Sequence, residues 1–275
     1  MKIAAFYENI LEGAKTAGIS PVRAVKTLMD HGLDLLYASV YSASDENSGM
    51  PEVIRETGIG VEGLYGFYDF GHHPEDESYK VLVDKAAELS AGNVLIIPGF
   101  LKDDEKASWT EQVENMKAVL KKAAAYGIEK SVAVSLEDVD NLNVPVNSIA
   151  GLKDFFDAVP ELKYSLDTGN FVMYREDERE AFHLFKDRIC TVHLKDRSDA
   201  AVNPDDQFKT RADGSPTYPA VTGSGNIHMK EIFKGLKEMG YTGNLIAELY
   251  DYSPTRMLKG IEESIEWVRS AWDQA

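Results

Sequence analysis

Short runs rich in β-branched residues and leucine alternate with longer stretches of helical spacing, and no other sequence feature constrains the fold as much. Asn93–Ile97 (NVLII) has the composition of a buried strand and is followed by Pro98 and Gly99. In Thr110–Tyr126, by contrast, apolar residues recur at intervals of three or four, as they do on one face of a helix. Strands that are separated by helices favour parallel pairing with right-handed crossovers.

The same patterns place the other elements. Further strands are predicted at Leu33–Val40, Val61–Phe67, Ser131–Leu136, Tyr164–Leu166, Ile189–Leu194 and Leu245–Leu249, and the first strand would be Lys2–Tyr7. Further helices are predicted at Pro51–Thr57, Tyr79–Ser90, Ile149–Val159, Glu178–Phe185, His228–Met239 and Thr255–Trp272. No GxGxxG motif follows an early strand to support an open dinucleotide-binding sheet. Since 275 residues is a usual length for a closed barrel, we predict a single (β/α)8 TIM barrel over residues 1–275.

Composition restricts the partners. The formal net charge of −17, from 46 acidic and 29 basic residues, is unfavourable for binding nucleic acid or anionic membranes. Cys190 is the only cysteine, so an intrachain disulfide is excluded, which agrees with a reducing compartment. The N-terminal segment lacks a secretory signal, and no run of about 18 apolar residues would span a membrane. We therefore expect a cytoplasmic protein that acts on a small molecule, and a homodimer is compatible with the sequence.

Four of the later strands end on, or carry near their ends, a residue that can bind a metal ion. These residues are Glu137, Asp167, His193 and Glu248. In a barrel the C-terminal strand ends converge on one face, where three carboxylates would repel one another unless a cation neutralised them. Three oxygen donors and one imidazole predict one divalent metal ion, Mn²⁺ or Mg²⁺ first, with Co²⁺ or Zn²⁺ as alternatives. Cys190 lies three residues before His193, so the alternation of the strand turns its thiol away.

Each of these residues also has a simpler interpretation. A carboxylate at a strand end is often the cap of the next helix, and Asp167 alone would fit that role. A single histidine in a strand is more often a hydrogen-bonded structural residue. The metal site is favoured because all four occur on different strands beside apolar residues, where burying charge is costly.

The ordered motifs SLED, SLDTGN, VHLKD, GSGNI and IAELY, spread between about Leu33 and Trp272, resemble those of the xylose isomerase-like barrels. The resemblance is to the sugar phosphate isomerase/epimerase group, which includes tagatose 3-epimerase-like enzymes, hydroxypyruvate isomerases and inosose dehydratases. It implies the same four metal ligands, with the two glutamates as acid/base groups. Two positions depart from the family pattern. Asn170 stands where many members have a histidine, and Arg197 follows the histidine ligand sooner than the substrate-contacting arginine usually does.

The expected activity is a metal-dependent isomerisation or epimerisation of a small carbohydrate through an enediolate, with Glu137 and Glu248 transferring the proton. A metal-dependent dehydratase acting on a keto-polyol such as an inosose would use the same ligands. A non-catalytic sugar-binding protein is a further alternative. A DNA-repair endonuclease with a trinuclear zinc site is disfavoured, because the chain has 6 histidines and a strongly acidic charge.

Substrate contacts are expected from a second group of residues near the strand ends. His72 and His73 follow a strand and would bind a substrate hydroxyl, unless they are a solvated loop pair. Lys195 and Arg197 continue the alternation that begins at His193, so they point to the same side, where Lys195 would either contact substrate or pair with a ligand carboxylate. Asn170 is also expected to contact the substrate, because it stands where many members of the family have a histidine.

The segment 196–226 is long and polar for a connection between a strand and a helix, and we predict that it covers the site as a lid. Lys209 and Arg211 within it could reach a phosphate, but a solvated surface position is favoured. Gly223, Ser224 and Gly225 precede a helix. They would either bind an anion through backbone N–H groups or form a tight turn.

Overall fold

Eight parallel strands close into a barrel in the computed structural model, which describes residues 1–275. The eight barrel strands are β1 (Ile3–Phe6), β2 (Leu35–Ser39), β3 (Gly60–Phe67), β4 (Asn93–Ile97), β5 (Ala133–Leu136), β6 (Lys163–Asp167), β7 (Ile189–Ser198) and β10 (Leu245–Glu248). Two further short strands, β8 (Lys209–Thr210) and β9 (Pro216–Ala220), lie between β7 and β10 in the chain and pair in the antiparallel direction. Strand β10 pairs with both β1 and β7, and these pairings close the ring. The predicted (β/α)8 barrel is confirmed.

Helices surround the barrel. They are α1 (Tyr7–Ala17), α2 (Pro21–Asp30), α3 (Val40–Ser44), α4 (Met50–Thr57), α5 (Tyr79–Glu88), α6 (Trp109–Lys130), α7 (Ile149–Ala158), α8 (Glu178–Phe185), α9 (Met229–Glu238) and α10 (Met257–Gln274). One cluster of 71 buried hydrophobic residues fills the barrel and the layer between strands and helices, so a single core holds the fold together. None of the helices is long and apolar enough to cross a membrane.

The N-terminal region differs from its prediction. The first strand was predicted to run to Tyr7, but Tyr7 is the first residue of α1, and no helix was predicted between residues 8 and 32. Gly13 in the middle of α1 weakens the helical pattern, because glycine is a poor helix former. It is placed where α1 crosses α10, and a Cβ atom there would lie 2.8 Å from Leu258 Cγ. The close contact between α1 and α10 therefore explains why a glycine stands at position 13, and this glycine is why the helix was not predicted.

The parallel register brings the functional strand ends together. Asp167 on β6 is aligned with His193 on β7, and Lys195 on β7 is aligned with Glu248 on β10. Because parallel strands all end at the same rim, these four side chains lie at the C-terminal face of the barrel.

Strand β7 continues beyond the rim. It was predicted to end at Leu194, yet it runs to Ser198 and pairs there with β9 in the antiparallel direction, Asp196 opposite Ala220. Strand β9 in turn pairs with β8. The segment 196–226, predicted as an irregular lid, therefore contains a small antiparallel sheet that extends one barrel strand.

The packing of α6 against the barrel gives a test of the core. Leu120 on α6 is fully buried, whereas Leu184 on α8 is 55% exposed. We expect Leu120→Ala to lower the free energy of unfolding by about 2–5 kcal/mol, since it removes buried methyl groups and leaves a cavity. Leu184→Ala is the matched control and is expected to change it by less than about 0.5 kcal/mol. Urea unfolding followed by circular dichroism measures both, and equal effects would contradict the packing.

Candidate functional site

Three side chains at the C-terminal rim form a group that can hold a metal ion. Glu137 follows β5, Asp167 ends β6 and His193 lies in β7. Each offers one ligand atom, and these atoms lie within 4.8 Å of one another. Asp167 and His193 are fully buried. Buried groups of this kind are costly to desolvate without a partner, so their convergence is typical of a ligand site.

The carboxylate of Asp167 is held by one oxygen only. Its Oδ1 accepts hydrogen bonds from the backbone N–H groups of Gly169 at 2.7 Å and Asn170 at 2.8 Å. Its Oδ2 is buried and has no hydrogen-bond partner in the protein. Burial raises the pKa of this carboxyl well above its usual value. One oxygen is therefore fixed by the turn after β6, while the other makes no hydrogen bond and has the Lys195 ammonium group 3.8 Å away.

His193 is held in the same way. Its Nδ1 lies 2.9 Å from Glu137 Oε2 and 3.4 Å from Glu248 Oε2, whereas its Nε2 is buried without a partner. Burial alone would lower the pKa of the imidazole, but the two glutamates raise it to about 10. The ring also packs edge-on against Tyr37, with ring centroids 4.8 Å apart. His193 Nδ1, which faces the carboxylates of Glu137 and Glu248, and the buried Asp167 Oδ2 supply nitrogen and oxygen donors that fit a divalent metal ion.

Glu248, the fourth predicted ligand, lies at the edge of this group rather than within it. Its Oε1 is 2.5 Å from Lys195 Nζ. Because burial would raise the pKa of Glu248, the opposing effect of Lys195 and His193, which lowers it to about 2, is the stronger one. Glu248 is thus already paired with an ammonium group, and it would bind a metal only by sharing its carboxylate with Lys195.

A second layer of charges surrounds the carboxylate Asp140. Its Oδ2 lies 2.5 Å from Arg197 Nη2 and 3.4 Å from Lys195 Nζ, and its Oδ1 lies 2.7 Å from Lys209 Nζ. Burial alone would raise the pKa of the Asp140 carboxyl, but the three cations hold it well below its usual range. Asp251 is 3.0 Å from Arg197 Nη2 and 3.8 Å from Lys209 Nζ. Every cation of this layer therefore faces at least one carboxylate.

A cavity of about 260 Å³ opens onto these groups. Its polar wall carries Glu137, Asp140, Asn141, Lys195, Lys209, Glu248 and Asp251, and its apolar wall carries Phe6, Tyr65, Phe67, Leu95, Ile97, Phe100, Val139 and Tyr250. The hydroxyl groups of Tyr65 and Tyr250 are hydrogen-bonded to each other at 2.8 Å. A cavity of this size suits a small molecule with one polar and one apolar face.

The predicted substrate contacts are distributed unevenly. Lys195 lines the cavity, but Arg197 and Asn170 lie behind its wall. Asn170 Oδ1 accepts a hydrogen bond from Lys195 Nζ at 2.8 Å, so it positions the ammonium group. His72 bridges Asp69 and Glu105, each at 2.7 Å.

Neither His72 nor its neighbour His73, which is 61% exposed, is part of the cavity lining. The structure therefore brings no histidine other than His193 near the cluster, and the loop-pair interpretation of His72 and His73 is the one that its contacts favour.

The sequence pattern missed several functional residues. Lys209 and Arg211 were expected on a solvated surface, and this is wrong, because Lys209 lines the cavity and Arg211 is buried. Asp140 and Asp251 lie three residues beyond Glu137 and Glu248, in loops. Their spacing from the predicted ligands was the available signal. The aromatic residues of the apolar wall look like ordinary core residues in the sequence.

The glycine turn before α9 is a turn and not an anion site. The buried Asp196 carboxylate accepts hydrogen bonds from the backbone N–H groups of Gly223 at 2.8 Å, Gly225 at 2.9 Å and Ile227 at 3.3 Å. The anion that these backbone N–H groups bind is thus the Asp196 carboxylate of the same chain, and not a separate ligand. Because Asp196 is on β7, the turn fastens the end of the 196–226 segment to the barrel.

The whole chain was compared with protein families and with known proteins. The family model described as xylose isomerase-like TIM barrel matches residues 23–271. A protein of Escherichia coli (strain K12), provisionally named L-ribulose-5-phosphate 3-epimerase, is 22% identical over 249 residues, which cover 86% of this chain and 82% of that protein. Inosose dehydratase of Lacticaseibacillus casei is 33% identical over 84 residues, covering 30% of this chain and 28% of the dehydratase.

Solved structures share the fold. A D-tagatose 3-epimerase-like protein superposes with a TM-score of 0.73 at 17% identity, over 100% of this chain and 98% of the other. The IOLI protein, solved with a bound zinc atom, gives a TM-score of 0.72 at 16% identity, over 100% and 99% of the two chains. At these identities the likeness establishes the fold alone.

The anchoring role of Asp196 can be tested by removing its carboxylate. We expect Asp196→Ala to lower the free energy of unfolding by about 1–3 kcal/mol, because several buried N–H groups lose their acceptor. Limited proteolysis should cut the 196–226 segment faster in this variant. Asp273→Ala, at an exposed aspartate in the last helix, is the control and should leave both measurements unchanged. Unaltered proteolysis of Asp196→Ala would show that the turn is held by other contacts.

Proposed function

The chain belongs to the xylose isomerase-like TIM barrel family, and from this premise we propose that it isomerises or epimerises a small carbohydrate with one divalent metal ion. The observation that carries the proposal is the convergence of one ligand atom each from Glu137, Asp167 and His193 within 4.8 Å of one another, with Asp167 Oδ2 buried and without a hydrogen-bond partner. Sugar isomerisation and epimerisation need a polarised carbonyl and a nearby base. A metal ion at this site would polarise the carbonyl, and the rim carboxylates would serve as the base.

The metal would be held by Glu137, Asp167 and His193, with Glu248 as the fourth ligand. Oxygen donors with one imidazole favour Mn²⁺, with Mg²⁺, Co²⁺ and Zn²⁺ as alternatives, and the zinc atom in the IOLI structure supports a divalent ion. When bound, such an ion polarises a substrate carbonyl and makes the adjacent C–H group acidic. Lys195 keeps Glu248 ionised at 2.5 Å, so a carboxylate stays available at the cavity.

Glu137 and Glu248 would transfer the proton. Both line the cavity, and their strands β5 and β10 are separated in the barrel by β6 and β7. They therefore reach a bound sugar from different directions. One carboxylate removes the proton from the carbon beside the carbonyl, and the other returns a proton to the opposite face, which inverts that carbon. Return of the proton to the neighbouring carbon would give an aldose–ketose isomerisation instead.

A metal-dependent dehydratase is the second candidate. It is favoured by the inosose dehydratase of Lacticaseibacillus casei, which is 33% identical over its 84 matched residues. Loss of a hydroxyl group needs a general acid, and Lys195, which lines the cavity, would fill that role. The two reactions start with the same proton removal and differ in their product, because dehydration yields a molecule lighter by one water.

Metal analysis tests the proposed ligands. We expect the purified protein, after incubation with Mn²⁺ and removal of free metal, to retain about one equivalent of the ion. His193→Ala and Glu248→Gln should weaken Mn²⁺ binding by more than about 100-fold, a larger loss than that of an outer-shell residue. His183→Ala, at an exposed histidine on α8, is the control and should bind like the wild type. Absence of metal from the wild type, offered Mn²⁺ or Co²⁺, would refute the site.

Solvent hydrogen exchange tests the acid/base pair. In D₂O the Mn²⁺-loaded protein should introduce deuterium beside the carbonyl of an accepted ketose, as measured by mass spectrometry. Glu137→Gln and Glu248→Gln should each reduce the exchange rate by about 10²–10⁴-fold, because the amide cannot accept the proton. If both variants exchange at the wild-type rate while their metal content is lowered, these glutamates bind metal only and the proton is moved by another group.

A further inference from the structure

The charges around the cavity are balanced in a way that bears on the substrate. A sugar phosphate carries about two negative charges and is usually bound by unpaired lysine or arginine side chains or by free backbone N–H groups. Three cationic side chains lie near the cavity, namely Lys195, Arg197 and Lys209. Their distances to carboxylates decide whether any of them remains free for a phosphate.

Asp140 occupies all three cations at once. It lies 2.5 Å from Arg197, 2.7 Å from Lys209 and 3.4 Å from Lys195. Its carboxylate is 11% exposed, so water screens these contacts poorly. The Nε and Nη1 atoms of Arg197 have no partner, but the side chain is 1% exposed and is not part of the cavity lining. The polar wall therefore presents ion pairs and no free cation.

The remaining surfaces offer no phosphate site either. Lys195 and Lys209 have further carboxylates nearby, since Glu248 is 2.5 Å from Lys195 and Asp251 is 3.8 Å from Lys209. The apolar part of the lining is largely aromatic, with Phe67 and Phe100 stacked at a centroid distance of 6.3 Å. Phe67 is 51% exposed at the opening of the cavity. An aromatic surface of this kind packs against the C–H face of a sugar and excludes a dianion.

The total charge agrees with this view. Five carboxylates surround the cavity and its ligand group, namely Glu137, Asp140, Asp167, Glu248 and Asp251. When His193 is neutral, as a metal-binding imidazole must be, they face only the three cations described above, so two negative charges remain unmatched. One divalent metal ion matches those two charges. Once the metal is bound, a phosphate dianion would have no compensating charge, whereas an uncharged sugar needs none.

We propose, on the basis of the function proposed above, that the substrate is an uncharged, unphosphorylated keto-sugar and that Asp140 is the specificity-determining residue that excludes phosphate esters. Its carboxylate neutralises the three cations that would otherwise form a phosphate site. The aromatic wall receives the apolar face of the sugar, and the hydroxyl groups face the polar wall.

The first test compares matched ligands on the Mn²⁺-loaded wild type. Isothermal titration calorimetry is carried out with D-tagatose and D-tagatose 6-phosphate, and with L-ribulose and L-ribulose 5-phosphate. We expect the unphosphorylated member of a pair to bind at least about tenfold more tightly, a difference of about 1.4 kcal/mol. Tighter binding of the phosphate ester would overturn the inference and leave the proposed isomerase intact. Failure of every ketose to bind, by a protein that holds its metal, would overturn both.

The second test uses Asp140→Asn, with inorganic sulfate as a tetrahedral dianion that does not precipitate Mn²⁺. This variant should gain sulfate binding that the wild type lacks, and its preference against the sugar phosphates should fall by at least about tenfold. Asp103→Asn, which removes an equal charge at a position that is 77% exposed, is the matched control and should bind no sulfate.

A folded Asp140→Asn that still rejects sulfate would refute the role of Asp140. If Asp140→Asn does not fold, Asp251→Asn removes the other carboxylate facing Arg197 and Lys209 and is judged by the same criterion.

Discussion

The repulsion between carboxylates gathered at the C-terminal rim governs the rest of this site. Glu137, Asp167 and Glu248 are brought together by the register of the parallel strands, and buried like charges cannot be left uncompensated. Cationic side chains on one strand, β7, compensate this negative charge. Lys195 and Arg197 follow His193 at alternate positions of β7, so the strand that supplies the imidazole also supplies two of the neutralising charges. The site is thus a network of ion pairs between the rim carboxylates and the cations of β7.

The outer layer depends on this arrangement. Asp140 and Asp251 stand just beyond two of the rim glutamates in sequence, and they bind the cations that the inner carboxylates do not fully use. Lys209 comes from the 196–226 segment and joins the same network through Asp140. The 196–226 segment is therefore attached to the rim by an electrostatic contact, the Lys209–Asp140 ion pair. Because Asp140 is buried, water screens this ion pair poorly.

The sequence predicts the barrel and the inner ligands for a simple reason. Alternating strands and helices have few ways to pack, and residues at the ends of parallel strands meet whatever the loops do. Helix α1 was not predicted because Gly13 interrupts its helical pattern. The reason for a glycine at this position is its close contact with α10, and that contact cannot be read from the sequence. Lys209 and Asp251 were not predicted because their positions depend on how the segments beyond the strand ends fold over the rim. The aromatic wall was not predicted because residues such as Phe6, Tyr65 and Phe67 lie on barrel strands and look like ordinary core residues in the sequence. His72 was misleading, since its carboxylate partners Asp69 and Glu105 come from two separate loops.

The continuation of β7 into the antiparallel pairing with β9 restricts how the 196–226 segment can move. The root of this segment is not a flexible hinge, because Lys195 pairs with Glu248 of β10 and the next two residues, Asp196 and Arg197, pair with Ala220 and Pro219 of β9. Its far end is held more lightly, since β8 has only two residues. Lys209 in β8 is also held to the rim by its ion pair with Asp140 at 2.7 Å, so the segment would open at this end only if that pair broke, while Asp196 and Arg197 stay paired with β9.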